Sequence, residues 1–254
     1  MTGVDLSNYQ AGLELQSLKA DGKEFAILKA TEGITIQDRS FKTFAKAANG
    51  LDFPIGAYCY GHATDVERAR SEAAFILHVV KGFKLPLGIY YDVEAAEQLA
   101  LSGKQLQEIC EAFCQVIRAA GYSVGLYGSE YNLWYKIDHT KLPSDVIKWV
   151  AHYGKAPAFD CDLWQRTDQG RVLGYHGNVD IDEVFSERFY SMVNKSNDKA
   201  EPAVKPGMLF PPNPTVLAFQ LWLNYNGYVC ATDGQKTKEF FKILREFVDD
   251  MENC

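Results

Sequence analysis

The chain has 254 residues, of which 47% are hydrophobic and 13% aromatic, and its net charge is −7. This length and composition can bury a large core, in one big domain with a smaller one attached. The acidic balance argues against nucleic-acid binding, because nucleic-acid-binding proteins present a basic surface. No apolar run is long enough to span a bilayer, and the first ten residues lack the features of a classical signal peptide. We therefore expect no membrane insertion.

Short apolar runs recur from residue 3 into the 180s and predict eight β-strands. They are GVDL (3–6), FAILKAT (25–31), IGAYCYG (55–61), LGIYYDVE (87–94), SVGLYGS (123–129), VIKWVAHY (146–153), DLWQRT (162–167) and NVDIDEV (178–184). Several runs are continuous rather than alternating, which is typical of strands covered on both faces.

Helical patterns separate the early strands and span 39–50, 64–82 and 102–121. The second and third patterns begin at capping residues and end at glycine. The alternation of strands and helices predicts an α/β fold, and eight strands predict a closed, TIM-like β/α barrel. Between residues 153 and 178 the chain is too short for full crossover helices. We therefore expect an irregular barrel, with some helices missing and room for one antiparallel strand.

The composition changes at about residue 194. Residues 194–214 hold five of the nine prolines, which predicts a linker. It would join a barrel domain, residues 1–193, to a small module, residues 215–254, whose pattern predicts two amphipathic helices. The six cysteines do not indicate a disulfide scaffold. We expect Cys110 and Cys114 in the core, and we do not expect Cys230 to pair with Cys254.

Acidic residues fall at the C-terminal ends of strands, where a barrel of this kind carries its chemistry. Asp5 ends the first strand, Asp92 and Glu94 end the fourth, and Asp180 lies in the last, which closes beside the first. Side chains two apart on a strand share a face, so four carboxylates converge on the barrel mouth. Their repulsion should raise the pKa of at least one of them. A carboxyl group that keeps its proton near neutral pH is what glycosidic cleavage needs as a general acid.

Each acid also has a structural interpretation. Asp5 or Asp180 alone could be a turn or helix cap. A salt bridge to Lys29 would explain one member of the pair on the fourth strand. We expect Asp182 to be a surface or capping residue.

Aromatic side chains near strand ends suggest a saccharide ligand, because aromatic faces stack on sugar rings. The candidates for substrate binding are Tyr58, Tyr60, Tyr127 and Trp164. Trp149 and Tyr153 also lie near the ends of predicted strands. Each of these rings could instead pack in the barrel core without contacting a ligand. The five histidines lack zinc-ligand spacing, and neither a Gly-x-Ser-x-Gly elbow nor a phosphate-binding glycine loop occurs. No metal or organic cofactor is predicted.

Seven motifs, in order, resemble the Chalaropsis-type lysozymes, glycoside hydrolase family 25. They are GVDLSNYQ, FAILKATEG, IGAYCY, YYDVEA, WVAHY, LWQ and GNVDIDEVF, and they cover about residues 2–190. The resemblance implies an irregular β/α barrel that cleaves the β-1,4 bond after N-acetylmuramic acid in peptidoglycan. It also implies Glu94 as the proton donor, Asp92 as its partner, and Asp5 and Asp180 as the other acids.

The chain departs from the family in two places. Cys59-Tyr60 stands where the family often has His-Phe, and Asp182 stands where it often has Asn. The Asp-x-Glu arrangement resembles substrate-assisted glycosidases, in which the N-acetyl oxygen attacks the anomeric carbon and the Asp orients the acetamido group. The alternative is an inverting mechanism, with Asp5 or Asp180 activating water.

The tail VLAFQLWLNYNGY, followed by TDG and KT, resembles a peptidoglycan-binding helical repeat. The alternative is a helical hairpin that packs on the barrel or mediates oligomerisation. The leading hypothesis for the whole chain is a muramidase that acts on bacterial peptidoglycan. It would be a phage endolysin made in the host cytoplasm and released to the cell wall, or a secreted enzyme. The rival hypothesis is a non-catalytic cell-wall-binding protein on the same scaffold.

Overall fold

The computed structural model describes residues 1–195 and, in the C-terminal segment, residues 220, 223, 238, 241–243 and 245. The strands are β1 (Thr2–Leu6), β2 (Ala26–Glu32), β3 (Ile36–Gln37), β4 (Ile55–Tyr60), β5 (Ile89–Asp92), β6 (Val124–Ser129), β7 (Ile147–Ala151), β8 (Leu163–Val172) and β9 (Tyr175–Val184). The α-helices are α1 (Leu15–Ala20), α2 (Phe41–Gly50), α3 (Val66–Val80), α4 (Ala96–Leu99), α5 (Gly103–Ala119) and α6 (Glu187–Lys195). All eight predicted strands and all three predicted helices are present.

Eight of these strands form a closed barrel. Their order is β1-β9-β8-β7-β6-β5-β4-β2, and β1 closes the ring by pairing with β2, while β3 adds to β2 outside the ring. Neighbouring barrel strands are parallel except around β9, which runs antiparallel to both β1 and β8. Residues 152–162, between β7 and β8, form no helix. The predicted irregular α/β barrel is therefore confirmed, including its antiparallel strand.

Side chains alternate between the inside of the barrel and the layer under the helices. Tyr90 and Trp149 pack inside the barrel. Val4, Leu6 and Tyr91 pack in the outer layer against the helices. The face assignment predicted for β1 and β5 is therefore confirmed, and it turns the acids of both strands toward the barrel interior.

Local capping explains where the long helices begin and end. Asp65 accepts a hydrogen bond from the Arg68 backbone N–H at 2.8 Å and starts α3. Ser102 forms a capping box at the start of α5. Gly82 and Gly121 follow the two helices with φ of +88° and +82°, a conformation that favours glycine. On α5, Cys110 and Cys114 are buried and unpaired, as predicted.

The C-terminal segment is described only in part. Its described residues are all helical, and Gln220, Leu223 and Ile243 are buried. Helix α6 continues to Lys195, so the predicted boundary at residue 193 falls in its last turn. Residues 196–214 of the predicted linker and the remaining positions of the predicted module, including Cys230 and Cys254, lie outside the described residues. No helix in the described part of the chain is long and apolar enough to cross a membrane.

Candidate active site

The C-terminal ends of the barrel strands surround a cavity of about 450 Å³. All four predicted acids and three of the four predicted aromatic residues line it. The full set is Asp5, Ser7, Tyr9, Gln10, Lys29, Glu32, Tyr58, Tyr60, His62, Asp92, Glu94, Tyr127, Trp149, Gln165 and Asp180. A larger cavity of about 770 Å³ lies between α6 and the loops flanking β7, and of its two acids, Asp160 and Asp162, the second is paired with Arg188. The smaller cavity is the candidate active site because the carboxylates converge there.

The first acidic group, called the β5 pair, consists of Asp92 and Glu94. Asp92 is buried, and its Oδ1 accepts no hydrogen bond from the described protein. Desolvation, then the negative charge of Glu94, raises the pKa of Asp92 well above 3.8, while Lys29 opposes the shift. Glu94 lies just beyond the strand and reaches solvent at the cavity mouth. Desolvation and the charge of Asp180 raise its pKa above 4.5. The two groups interact, so they titrate as a pair and keep a proton that isolated carboxyl groups would lose.

The second group, called the β1–β9 pair, consists of Asp5 and Asp180. The two residues lie directly opposite each other on adjacent antiparallel strands, and their side chains share a hydrogen bond. Desolvation, then nearby aspartate charges, raises the pKa of Asp5 well above 3.8. Desolvation raises the pKa of Asp180 to about 6, although the hydrogen bond from Asp5 lowers it. The two carboxyl groups therefore share a proton as a pair, and Gln165 Nε2 donates to Asp5 Oδ2 at 2.7 Å.

Asp182 is not the surface or capping residue that we expected. It is fully buried, and its Oδ1 accepts a hydrogen bond from Trp149 Nε1 at 2.8 Å. Desolvation is the main cause of its raised pKa, and the bond from Trp149 opposes that shift. Because Asp180 and Asp182 are two apart on β9, strand alternation places both on the inner face. The same alternation that identified Asp180 could have identified Asp182.

Trp149 forms the aromatic floor of the cavity. Its ring centroid lies 4.4 Å from that of Tyr127, 5.5 Å from that of Tyr90 and 6.2 Å from that of Tyr58. Tyr127 in turn donates to Gln165 Oε1 at 2.9 Å. The rings under the acids are thus held by polar contacts as well as by packing, which fixes the shape of the floor.

The structure does not bring Trp164 to the cavity. Its indole N–H donates to the His152 carbonyl at 2.7 Å, and its ring packs against Phe185. On β8 the inward-facing residues are Leu163 and Gln165, so the intervening Trp164 faces away. The polar neighbour Gln165 lines the cavity in place of the aromatic candidate.

A chain of charged groups forms one rim of the cavity. His62 Nδ1 lies 2.6 Å from Glu97 Oε1, and His62 Nε2 lies 3.2 Å from Glu32 Oε1. Burial would lower the pKa of His62, but these two hydrogen bonds raise it above 6.5. Lys29 Nζ lies 2.7 Å from Glu32 Oε2. The ion pair of Lys29 is thus made with Glu32, so it does not account for the β5 pair.

Known proteins resemble this chain in sequence and in fold. Residues 4–175 match the family described as Glycosyl hydrolases family 25. An autolytic lysozyme from Clostridium acetobutylicum is 32% identical over 190 residues, which cover 74% of this chain and 56% of that protein. A lysozyme of Lactococcus phage mv1 is 28% identical over 160 residues, which cover 59% of this chain and 78% of that protein. The crystal structure of a bacterial lysozyme from Streptomyces coelicolor has a TM-score of 0.67 at 24% identity, over 77% of this chain and 98% of that one, which shows the shared fold.

Proposed function

Because this chain belongs to family 25 of the glycosyl hydrolases, we propose that it hydrolyses the β-1,4 bond between N-acetylmuramic acid and N-acetylglucosamine in bacterial peptidoglycan. The observation that carries the proposal is the convergence of Asp5, Asp92, Glu94 and Asp180 on one cavity, each with a raised pKa. Two similar proteins, one clostridial and one from a phage, are named lysozymes, which supports the same bond as the target.

Glu94 is the general acid in this proposal. It reaches the cavity mouth, where a glycosidic oxygen can approach, and its raised pKa keeps a proton available. As the bond between the anomeric carbon and the leaving oxygen breaks, Glu94 transfers its proton to that oxygen. General acid catalysis of this kind contributes roughly 10²–10⁴-fold to a rate.

Asp92 positions the acetamido group of the sugar being cleaved. Asp92 lines the cavity, so its carboxylate can accept a hydrogen bond from the amide N–H of the substrate. This bond favours the ionised form of Asp92 and leaves the proton of the β5 pair on Glu94. The acetamido oxygen then attacks the anomeric carbon, and the carboxylate of Asp92 stabilises the positive charge of the resulting oxazolinium.

The second step restores the enzyme. Glu94, now ionised, takes a proton from water while the water oxygen attacks the anomeric carbon and opens the oxazolinium ring. The product keeps the original configuration. In the inverting alternative the β1–β9 pair would activate the water directly. NMR of freshly formed reducing ends separates the two routes, because net inversion would exclude the substrate-assisted one.

The catalytic role of Glu94 is tested by Glu94→Gln, which keeps the shape of the side chain but carries no transferable proton. We expect it to clear a suspension of cell walls roughly 10²–10⁴ times more slowly than wild type. Glu108→Gln, on the exposed face of α5, is the matched control and should clear at the wild-type rate. Equal clearing by wild type and Glu94→Gln would instead favour the rival, a non-catalytic wall-binding protein. Reducing muramic acid among the new ends identifies a muramidase.

We further propose that residues 215–254 bind the cell wall and that the protein acts there as an endolysin released from the host cytoplasm or as a secreted enzyme. Sedimentation with purified walls tests the module. In the Glu94→Gln background, the full chain should sediment more completely than a chain that ends at residue 195. Equal sedimentation would contradict wall binding by the module, and size-exclusion chromatography of the full chain would then test its alternative role in oligomerisation.

A further inference from the structure

We propose that Tyr9 forms a sugar-stacking subsite on the side of the barrel mouth across from β5, where it binds a pyranose ring of the glycan strand beyond the bond that is cleaved. The proposal rests on the function proposed above. Tyr9 follows β1, and β1 is separated from β5 by β2 and β4 on one side of the barrel and by four strands on the other. A strand of sugars that reaches both Tyr9 and Glu94 must therefore lie across the mouth.

The ring of Tyr9 is unusually open for a residue that lines the catalytic cavity. It is 88% exposed, whereas Tyr58 and Tyr127 in the same cavity are below 10%. A single exposed tyrosine is ordinary on a protein surface. What distinguishes Tyr9 is the number of contacts that fix its backbone while leaving its ring open.

Local hydrogen bonds hold the turn that carries Tyr9. Residues Asn8–Gln10 form a short 3₁₀ helix capped by Ser7. The Ser7 hydroxyl accepts from the Tyr9 backbone N–H at 3.2 Å, and Gln10 Oε1 accepts from the Ser7 backbone N–H at 3.0 Å. The Asn8 backbone N–H donates to Asp38 Oδ2 at 2.9 Å. The turn is therefore fixed on both sides of Tyr9.

The β8–β9 hairpin, which lies next to β1 in the barrel, fixes the same turn. The Tyr175 hydroxyl donates to the Tyr9 carbonyl at 3.2 Å, and Gln10 Nε2 donates to the Asn178 carbonyl at 3.2 Å. Gly177 leaves room for this contact, since a Cβ there would lie 2.6 Å from the Tyr175 ring. The same strand carries Asp180, so the backbone of Tyr9 is tied to the strand of a candidate catalytic acid.

This arrangement suits a sugar ring better than a charged or polar ligand. A tyrosine offers a large flat face and loses little side-chain entropy on binding. The acids of the cavity supply hydrogen-bond acceptors for sugar hydroxyls, and Tyr9 supplies the apolar face. Because Tyr9 lies across the mouth from Glu94, a short fragment bound at Glu94 should not reach it, whereas a longer strand should.

Binding to the Glu94→Gln protein, measured by calorimetry with peptidoglycan disaccharide and hexasaccharide fragments, tests the subsite. We expect Tyr9→Ala to weaken hexasaccharide binding roughly tenfold, equivalent to about 1.4 kcal/mol, and to leave disaccharide binding unchanged. Tyr9→Trp should keep the affinity for the hexasaccharide. Tyr190→Ala, which removes a half-exposed tyrosine from α6, is the control and should have no effect.

Either of two results with Tyr9→Ala would overturn the subsite: unchanged hexasaccharide binding, or an equal loss on both fragments. A loss of the same size in Tyr190→Ala would also overturn it, because the effect would not be specific to Tyr9. A different result would contradict the proposed hydrolysis. If wild type cleared no walls while Tyr9-dependent binding persisted, the hydrolase would be wrong and the subsite would stand.

Discussion

The β5 pair and the β1–β9 pair are both buried acidic groups in one cavity, but they are supported in different ways. Asp5 and Asp180 share a hydrogen bond across adjacent strands, and Gln165 donates to Asp5. On the other side of the cavity, Asp92 Oδ1 accepts no hydrogen bond from the described protein, and Glu94 reaches solvent. The β1–β9 pair is hydrogen-bonded within the protein, whereas the β5 pair has a buried oxygen without a partner among the described residues and an acid at the cavity mouth.

This difference indicates a division of roles. A carboxyl pair whose proton is held in an internal hydrogen bond is suited to fixing the shape of the cavity and the electrostatic potential inside it. A pair with an unused acceptor and a solvent-reaching acid is suited to meet a substrate amide and a leaving oxygen. Variants that remove one charge at a time from either side of the cavity test this division of roles.

The largest effect is expected on the β5 side, from Asp92→Asn. An asparagine cannot supply the negative charge that stabilises the oxazolinium, so kcat on peptidoglycan should fall by roughly 10²–10³-fold. The ratio of wild-type to variant rate should shrink on de-N-acetylated peptidoglycan, because the acetamido group that Asp92 orients is missing there. An equal ratio on both substrates would show that Asp92 acts without contacting the acetamido group.

A smaller effect, on stability, is expected from Asp182→Asn beside the β1–β9 pair. Burial raises the pKa of Asp182 in the folded state, so the folded protein binds more protons than the unfolded chain above about pH 4, and stability falls as pH rises through this window. Asparagine removes the buried charge and can still accept from Trp149. We expect a gain of about 1–3 kcal/mol at pH 7 that shrinks toward pH 4, measured by urea unfolding.

Asp145→Asn is the matched control for this stability prediction. Asp145 is exposed, and its hydrogen bond from Arg118 lowers its pKa. Its carboxylate therefore stabilises the fold above the unfolded pKa, and removing it should reduce stability slightly at pH 7. A gain for Asp182→Asn that did not change with pH would show that the buried charge is not its cause.

The smallest effect is expected at the rim beside the β5 pair, from Glu97→Gln. A neutral imidazole can donate from only one nitrogen, so the two carboxylates that contact His62 favour its charged form. Burial opposes that charge, but the hydrogen bonds with Glu97 and Glu32 raise the pKa of His62. Glu97→Gln should lower it, as measured by NMR titration of the ring, whereas Glu108→Gln should not. An unchanged His62 titration in Glu97→Gln would show that the hydrogen bond with Glu97 does not stabilise the charged imidazole.

Much of the fold and part of the site followed from a period of two along the strands. This period placed Asp5, Asp92, Glu94 and Asp180 on inner faces, and the structure brings all four to one cavity. No such face assignment was made for β8. Trp164 was a candidate because it is an aromatic residue near a strand end, but the structure turns Gln165 inward, where it bonds to Asp5 and Tyr127.

Other features could not be predicted because they depend on contacts between distant parts of the chain. The outer half of the β8–β9 hairpin is polar and carries no apolar pattern, so only residues 162–167 and 178–184 were predicted as strands. Tyr9 is separated from Tyr175 by most of the domain, and nothing local to either residue indicates their contact. The inward position of Asp182 could have been predicted from its spacing to Asp180, but its hydrogen bond from Trp149 on β7 leaves no signal in the sequence.

The register of β1 against β9 has a consequence for synthesis. Asp5 comes from the first strand and Asp180 from the last, and they meet only where the barrel closes. A nascent chain still attached to the ribosome before β9 emerges therefore lacks Asp180, one of the four acids that line the cavity. The proposed hydrolysis thus requires the last strand of the barrel, since the acids come together only when that strand is in place.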